Sequence, residues 1–121
     1  MFKRIWLLIG IIMVVAIFWV SLTPRPPQPL DFNAADKLEH TAAYALLMWW
    51  FAVSTYNNRR MQISYAIGFV VMGVGIEFLQ EMTGYRFYEV LDMLANTSGV
   101  FVGWLVSIYL IPKPFQRVPS L

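Results

Sequence analysis

The sequence contains no cysteine and a single histidine, His40. The first absence excludes disulfides and thiolate chemistry. The second argues against an all-protein zinc site of the usual kind, which draws on several histidines and cysteines. Charge is scarce as well: 13% of the 121 residues are charged, where a soluble domain has about a quarter. The few lysines and arginines are scattered to the ends of apolar runs, which is a pattern of membrane topology and not of nucleic-acid contact.

What is present in quantity is apolar. Hydrophobic residues make up 59% of the chain, five tryptophans are among them, and they gather in four long stretches. A helix needs about 20 residues to cross a bilayer, so four crossings and their connections would use the whole chain. The expectation is an all-α membrane protein: one domain over residues 1–121, a four-transmembrane-helix bundle with helices at about 5–22, 36–56, 62–80 and 89–111, short connecting loops and both termini cytoplasmic.

Met1 to Arg4 is a basic flank ahead of the run IWLLIGIIMVVAIFWVSL. A cleaved signal peptide shares such a flank, but this run is longer than a typical signal core and no A-x-A-like site follows it. Thr23-Pro24 with Pro26, Pro27 and Pro29 stops the first helix in a stiff extended loop. Tyr56 to Arg60 reads as a tight polar hairpin turn. On the third helix Gly68, Met72, Gly75 and Leu79 share a face that would admit a close neighbour. On the fourth, Ala95, Gly99 and Gly103 form a small-xxx-small ridge, a packing feature. Pro112 and Pro114 end that helix, and no fold is expected in the tail.

With four crossings, both termini and the Asn57–Met61 turn share a side. That side holds Lys3, Arg4, Arg59, Arg60, Lys113 and Arg117 and no acid, while all the acids fall on the other. The positive-inside rule then puts the first side in the cytoplasm and the second at the periplasm or cell exterior.

The acid-bearing side carries the candidate site. In DKLEHTAAY, Asp36, His40 and Tyr44 recur every fourth residue and share one helix face, with Lys37 and Glu39 beside it. Asp36 and Glu39 resemble a capping box, which places the cluster in the first turns. Glu77 and His40 sit inside apolar runs, where an ionisable group is costly unless it pairs or faces water. Gln80 at the end of the third helix, Arg86 in the Thr83 to Tyr88 loop after it, and Asp92 and Asn96 in the fourth helix reach the same depth. The economical arrangement is a water-filled pocket open to the outer leaflet.

Taken together, DKLEHTAAYALL, GIEFLQ, and Arg86 followed by EVLDMLANTSGVFVG resemble the VanZ-like family of small bacterial membrane proteins. The resemblance rests on Asp36, Lys37, His40 and Tyr44, on Gly73, Glu77 and Gln80, and on Arg86, Asp92, Asn96 and Gly99, with Ser21 to Pro24 as a further element. It implies a bacterial inner-membrane protein of the cell envelope and an association with glycopeptide resistance, notably to teicoplanin. It implies no settled biochemical activity.

The residues fit two chemistries. In a binding module, Lys37 and Arg86 contact an anionic group, and Tyr44, Gln80, Asp92 and Asn96 line the pocket of an amphiphilic, lipid-linked or glycopeptide ligand. In an enzyme acting on a lipid-linked phosphate, His40, oriented by Asp36 or Glu77, is base or nucleophile, and Lys37 and Arg86 stabilise the developing charge. Asp92 with Asn96 would hold a water or a divalent ion there, so a magnesium or calcium dependence stays open and no particular cofactor is indicated. The expected partners are membrane lipids and no nucleic acid. A transporter would require these short helices to oligomerise, and oligomeric state is left open. A purely structural bundle with a decorated rim is the remaining alternative.

Overall fold

The computed structural model describes residues 2–22, 35–56, 58–83 and 90–116. Four long helices pack together: α1 (Phe2–Leu22), α2 (Ala35–Ser54), α3 (Arg59–Thr83) and α4 (Val90–Tyr109), followed by a one-turn helix, α5 (Lys113–Gln116). Trp6 near the start of α1 meets Trp50 near the end of α2. Gln62 in the first turn of α3 reaches the carbonyl of Ala52. Thr41 of α2 bonds to Ala95 of α4, and Trp49 bonds to Leu110 just past the end of α4. Helices α1 and α3 therefore run one way and α2 and α4 the other.

The helix positions follow the apolar runs, but the four-crossing bundle does not hold. Among the described residues two helices are long and apolar enough to cross a membrane, Phe2–Leu22 and Arg59–Leu79. Helix α2 spends its first turns on Asp36, Lys37, Glu39 and His40, and in α4 the apolar stretch shortens to Met93–Tyr109. These polar turns take from α2 and α4 the apolar length that the runs as a whole suggested. The parity argument that placed both termini on one side falls with the four crossings. In its place there is a direct contact: the Phe2 and Phe115 rings lie 5.3 Å apart, which joins the N-terminal flank to α5.

The apolar helices indicate membrane association. On α1, Ile5, Leu8, Ile12 and Val15 are exposed, and on α3 so are Ile67, Val71 and Phe78. Their exposure gives the bundle an outward-facing apolar surface well beyond the scattered apolar residues normal on soluble proteins.

Helix α2 is the core of the bundle. Tyr44, Leu47, Met48, Phe51 and Ala52 recur at the i, i+3, i+4 spacing of one helix face, and all are buried, with Phe69 and Val100 packed beside them. Within ALLMWWFAV, which carries no polar mark, Leu47, Met48, Phe51, Ala52 and Val53 are buried.

Helix α4 lies along α2. A Cβ at Gly99 would overlap the carbonyl oxygen of Thr41, and one at Gly103 that of Ala45, so here the two backbones touch. On α3 the expected close-packing face is not the one used. Gly68 and Gly75 have no neighbour within 4 Å of a would-be Cβ. The buried stripe is Ala66, Phe69, Gly73, Ile76 and Glu77.

The end where α2 passes into α3 is tied by tryptophans. Trp6 and Trp50 stack at 3.7 Å, and each indole N–H donates to the other's backbone carbonyl, at 2.8 and 2.7 Å. Asn58 caps α3 by accepting from the Met61 amide at 3.2 Å, so the helix starts at Arg59, ahead of the expected residue 62. The tail also departs from expectation: past Pro112 the chain makes one more turn, because Phe115 is buried against Phe2 and Trp6.

Gln62 links three helices, donating to Ala52 O and accepting from the Trp104 indole, each at 3.0 Å. Trp104→Phe leaves the Gln62 amide oxygen without its donor. The expected loss is about 1 kcal/mol of stability, read as a lowered midpoint in thermal or denaturant unfolding of the purified protein.

Candidate functional site

At the opposite end, α2, α3 and α4 bring polar side chains to one buried junction. The local reason is register. Tyr44 stands on the core face of α2, Gly73 and Glu77 on the buried stripe of α3, and Asn96 one helical step before Gly99 and Val100 on α4. A Cβ at Gly73 would lie 3.1 Å from Asn96 Nδ2 and 3.5 Å from the Tyr44 ring. One at Gly99 would lie 3.0 Å from Tyr44 Cβ. The two glycines therefore make room for the tyrosine and the asparagine. Thr41, which the sequence did not single out, braces the junction by donating to Ala95 O at 3.2 Å.

The junction is closed. Tyr44 and Asn96 are each 3% exposed and Glu77 is fully buried. The Tyr44 hydroxyl and Asn96 Oδ1 have no hydrogen-bond partner among the described residues. Such groups are rare in folded proteins, where buried polar atoms are nearly always paired.

The other candidate residues are placed in register around these. His40 is one turn from Tyr44 toward the start of α2. It is half-buried, the most accessible of the described set, with its Nδ1 buried. Asp36 and Lys37 lie in the first turn of α2, Gln80 lies one turn past Glu77 on α3, and Asp92 lies one turn before Asn96 on α4. The side chains of these four, and Arg86 altogether, are outside the described residues. The structure thus brings Tyr44, Glu77 and Asn96 together, with His40 one turn beyond. Among the described residues no three His, Cys, Asp or Glu side chains gather as a metal site.

The sequence did not point to the opposite end, where an open groove of about 310 Å³ is lined by Tyr56, Arg59, Gln62, Ser107, Ile108 and Ile111. Gln62 was the available signal there, as a lone amide at the start of an apolar run.

No family model matches the chain, and no solved structure matches it. It is similar to an uncharacterised protein of Schizosaccharomyces pombe, 26% identical over 116 residues that span 93% of this chain and 68% of the relative. The name of that relative assigns it no activity. It is a fungal protein, so it lends no support to a bacterial inner membrane.

Proposed function

We propose that the junction of Tyr44, Glu77 and Asn96 binds the polar head of an amphiphilic or lipid-linked molecule of the cell envelope. The observation that carries this reading is the pair of orphaned groups, the Tyr44 hydroxyl and Asn96 Oδ1, at a point where three helices meet. A buried polar group without a partner costs about 1–3 kcal/mol, which a bundle retains where the group meets a ligand. The head group enters past His40, and Lys37 and Arg86, nearer the rim in sequence, take an anionic part of it. The apolar remainder lies along the exposed helix faces.

The basic flanks support an orientation. Lys3, Arg4, Arg59, Arg60 and Lys113 stand at one end of the bundle and the junction at the other. The basic end is the one suited to the anionic cytoplasmic face of a membrane. The VanZ-like reading rests on Asp36, Lys37, His40, Tyr44, Gly73, Glu77, Gln80, Arg86, Asp92, Asn96 and Gly99. Of these, Tyr44, Gly73, Glu77, Asn96 and Gly99 form the junction. A link to glycopeptide resistance stands on that resemblance alone.

The test is saturable binding by the purified protein across a panel of phospholipids, lipid-linked phosphates and sugars, and a teicoplanin-type glycopeptide. One class should bind, and Lys37→Ala with Arg86→Ala should weaken it. Absence of saturable binding throughout the panel contradicts the proposal. The half-buried His40 favours a second reading, hydrolysis of a lipid-linked phosphate with His40 as base or nucleophile. Phosphate release that disappears in a folded His40→Ala variant supports that reading, and binding without turnover excludes it for the panel tested.

A further inference from the structure

The groove at the basic end has no part in the junction, and its walls are of two kinds. Ile108, 60% exposed, continues a face of α4 on which Phe101 and Leu105 are also exposed. With Ile111 it makes an apolar wall. Tyr56 and the exposed Arg59 line the groove as well. The other two polar groups are committed within the protein: Gln62 bonds to Ala52 O and the Trp104 indole, and Ser107 Oγ donates to Trp104 O. The Arg59 guanidinium is left as the charged donor facing an incoming molecule.

Position and charge define that molecule. Arg59 is the first residue of the span Arg59–Leu79, so it stands at the depth where lipid head groups meet the hydrocarbon. Lys3, Arg4, Arg60 and Lys113 share this end, and the nearest acids in the chain, Glu39 and Glu77, belong to the other. We propose that the groove seats one anionic phospholipid, its phosphate on Arg59 beside Tyr56 and an acyl chain along Ile108 and the apolar face of α4. This site is independent of the junction, which lies at the other end of the bundle.

Native mass spectrometry of the purified full chain with dioleoylphosphatidylglycerol or dioleoylphosphatidylcholine tests the site. The anionic lipid should be retained one to one and the zwitterionic lipid much less. Arg59→Ala should lower retention about tenfold, the effect of one charged hydrogen bond. Arg60→Ala, an exposed neighbour outside the groove, should leave retention near that of the unaltered protein. Ile108→Asp, which keeps Arg59 and alters the apolar wall at an exposed position, should give a loss like that of Arg59→Ala. Inorganic phosphate should fail to displace the lipid, because it has no chain; displacement by phosphate alone identifies a free-anion site and overturns the assignment. Equal retention of the two lipids, or equal losses in Arg59→Ala and Arg60→Ala, also overturns it.

Discussion

Gly103→Leu is expected to leave no folded bundle. Even the first carbon of a side chain there would overlap the carbonyl oxygen of Ala45, which is backbone held in the α2 ladder and cannot rotate away as a side-chain tip can. The helices must separate, and α2 is the helix that carries Tyr44, Leu47, Met48, Phe51 and Ala52. A cost above about 3 kcal/mol, the upper range for overpacking, removes much of the stability of a small domain. Gly99→Leu, set against the carbonyl of Thr41, should behave alike. Gly68→Ala is the control: its would-be Cβ has nothing within 4 Å, and the gain in helix propensity should keep or raise stability by up to about 1 kcal/mol. Yield of monodisperse protein and the thermal midpoint separate these outcomes. Equal behaviour of Gly103→Leu and Gly68→Ala would contradict the backbone contact.

The second large effect is a divergence of stability from binding. Tyr44→Phe removes a hydroxyl that has no hydrogen-bond partner among the described residues and keeps the ring against Gly73 and Gly99. Stability should therefore hold or rise by about 1 kcal/mol, since an unsatisfied buried group is lost and no packing with it. Binding of the amphiphile selected from the panel should fall about tenfold, because the ligand loses its partner. Asn96→Leu should show the same divergence, with some stability lost to its different shape. A purely structural tyrosine moves the other way, with lowered stability and unchanged binding.

Much of the bundle was legible in the sequence, for reasons that differ by region. The apolar run ahead of Pro112 fixes where α4 stops, and Gly99 with Gly103 mark the contact of α4 with α2 at a spacing that only a helix gives. Crossing number was not legible, because a run's length says less than the polar residues inside it, and α2 has Asp36, Lys37, Glu39 and His40 in its first turns. Spacing alone did not choose the glycine face on α3. Gly68 and Gly75 were its expected pair, whereas Gly73, which the family resemblance marked, is the one that meets Tyr44 and Asn96. For the site, the sequence marked Tyr44, Glu77 and Asn96 on separate helices, but their closure into a buried junction depends on how three helices rotate against each other. The Phe115 turn depends likewise on a pocket built by Phe2 and Trp6, far away in the chain.

In the proposed function, the orphaned groups at the three-helix junction belong to a ligand site. A structure of the protein with the amphiphile that binds most tightly tests it directly. A polar atom of the head group is expected within hydrogen-bond distance of the Tyr44 hydroxyl and the Asn96 side chain. A ligand seated elsewhere, with the Tyr44 hydroxyl and Asn96 Oδ1 satisfied by the protein's own groups, would contradict it.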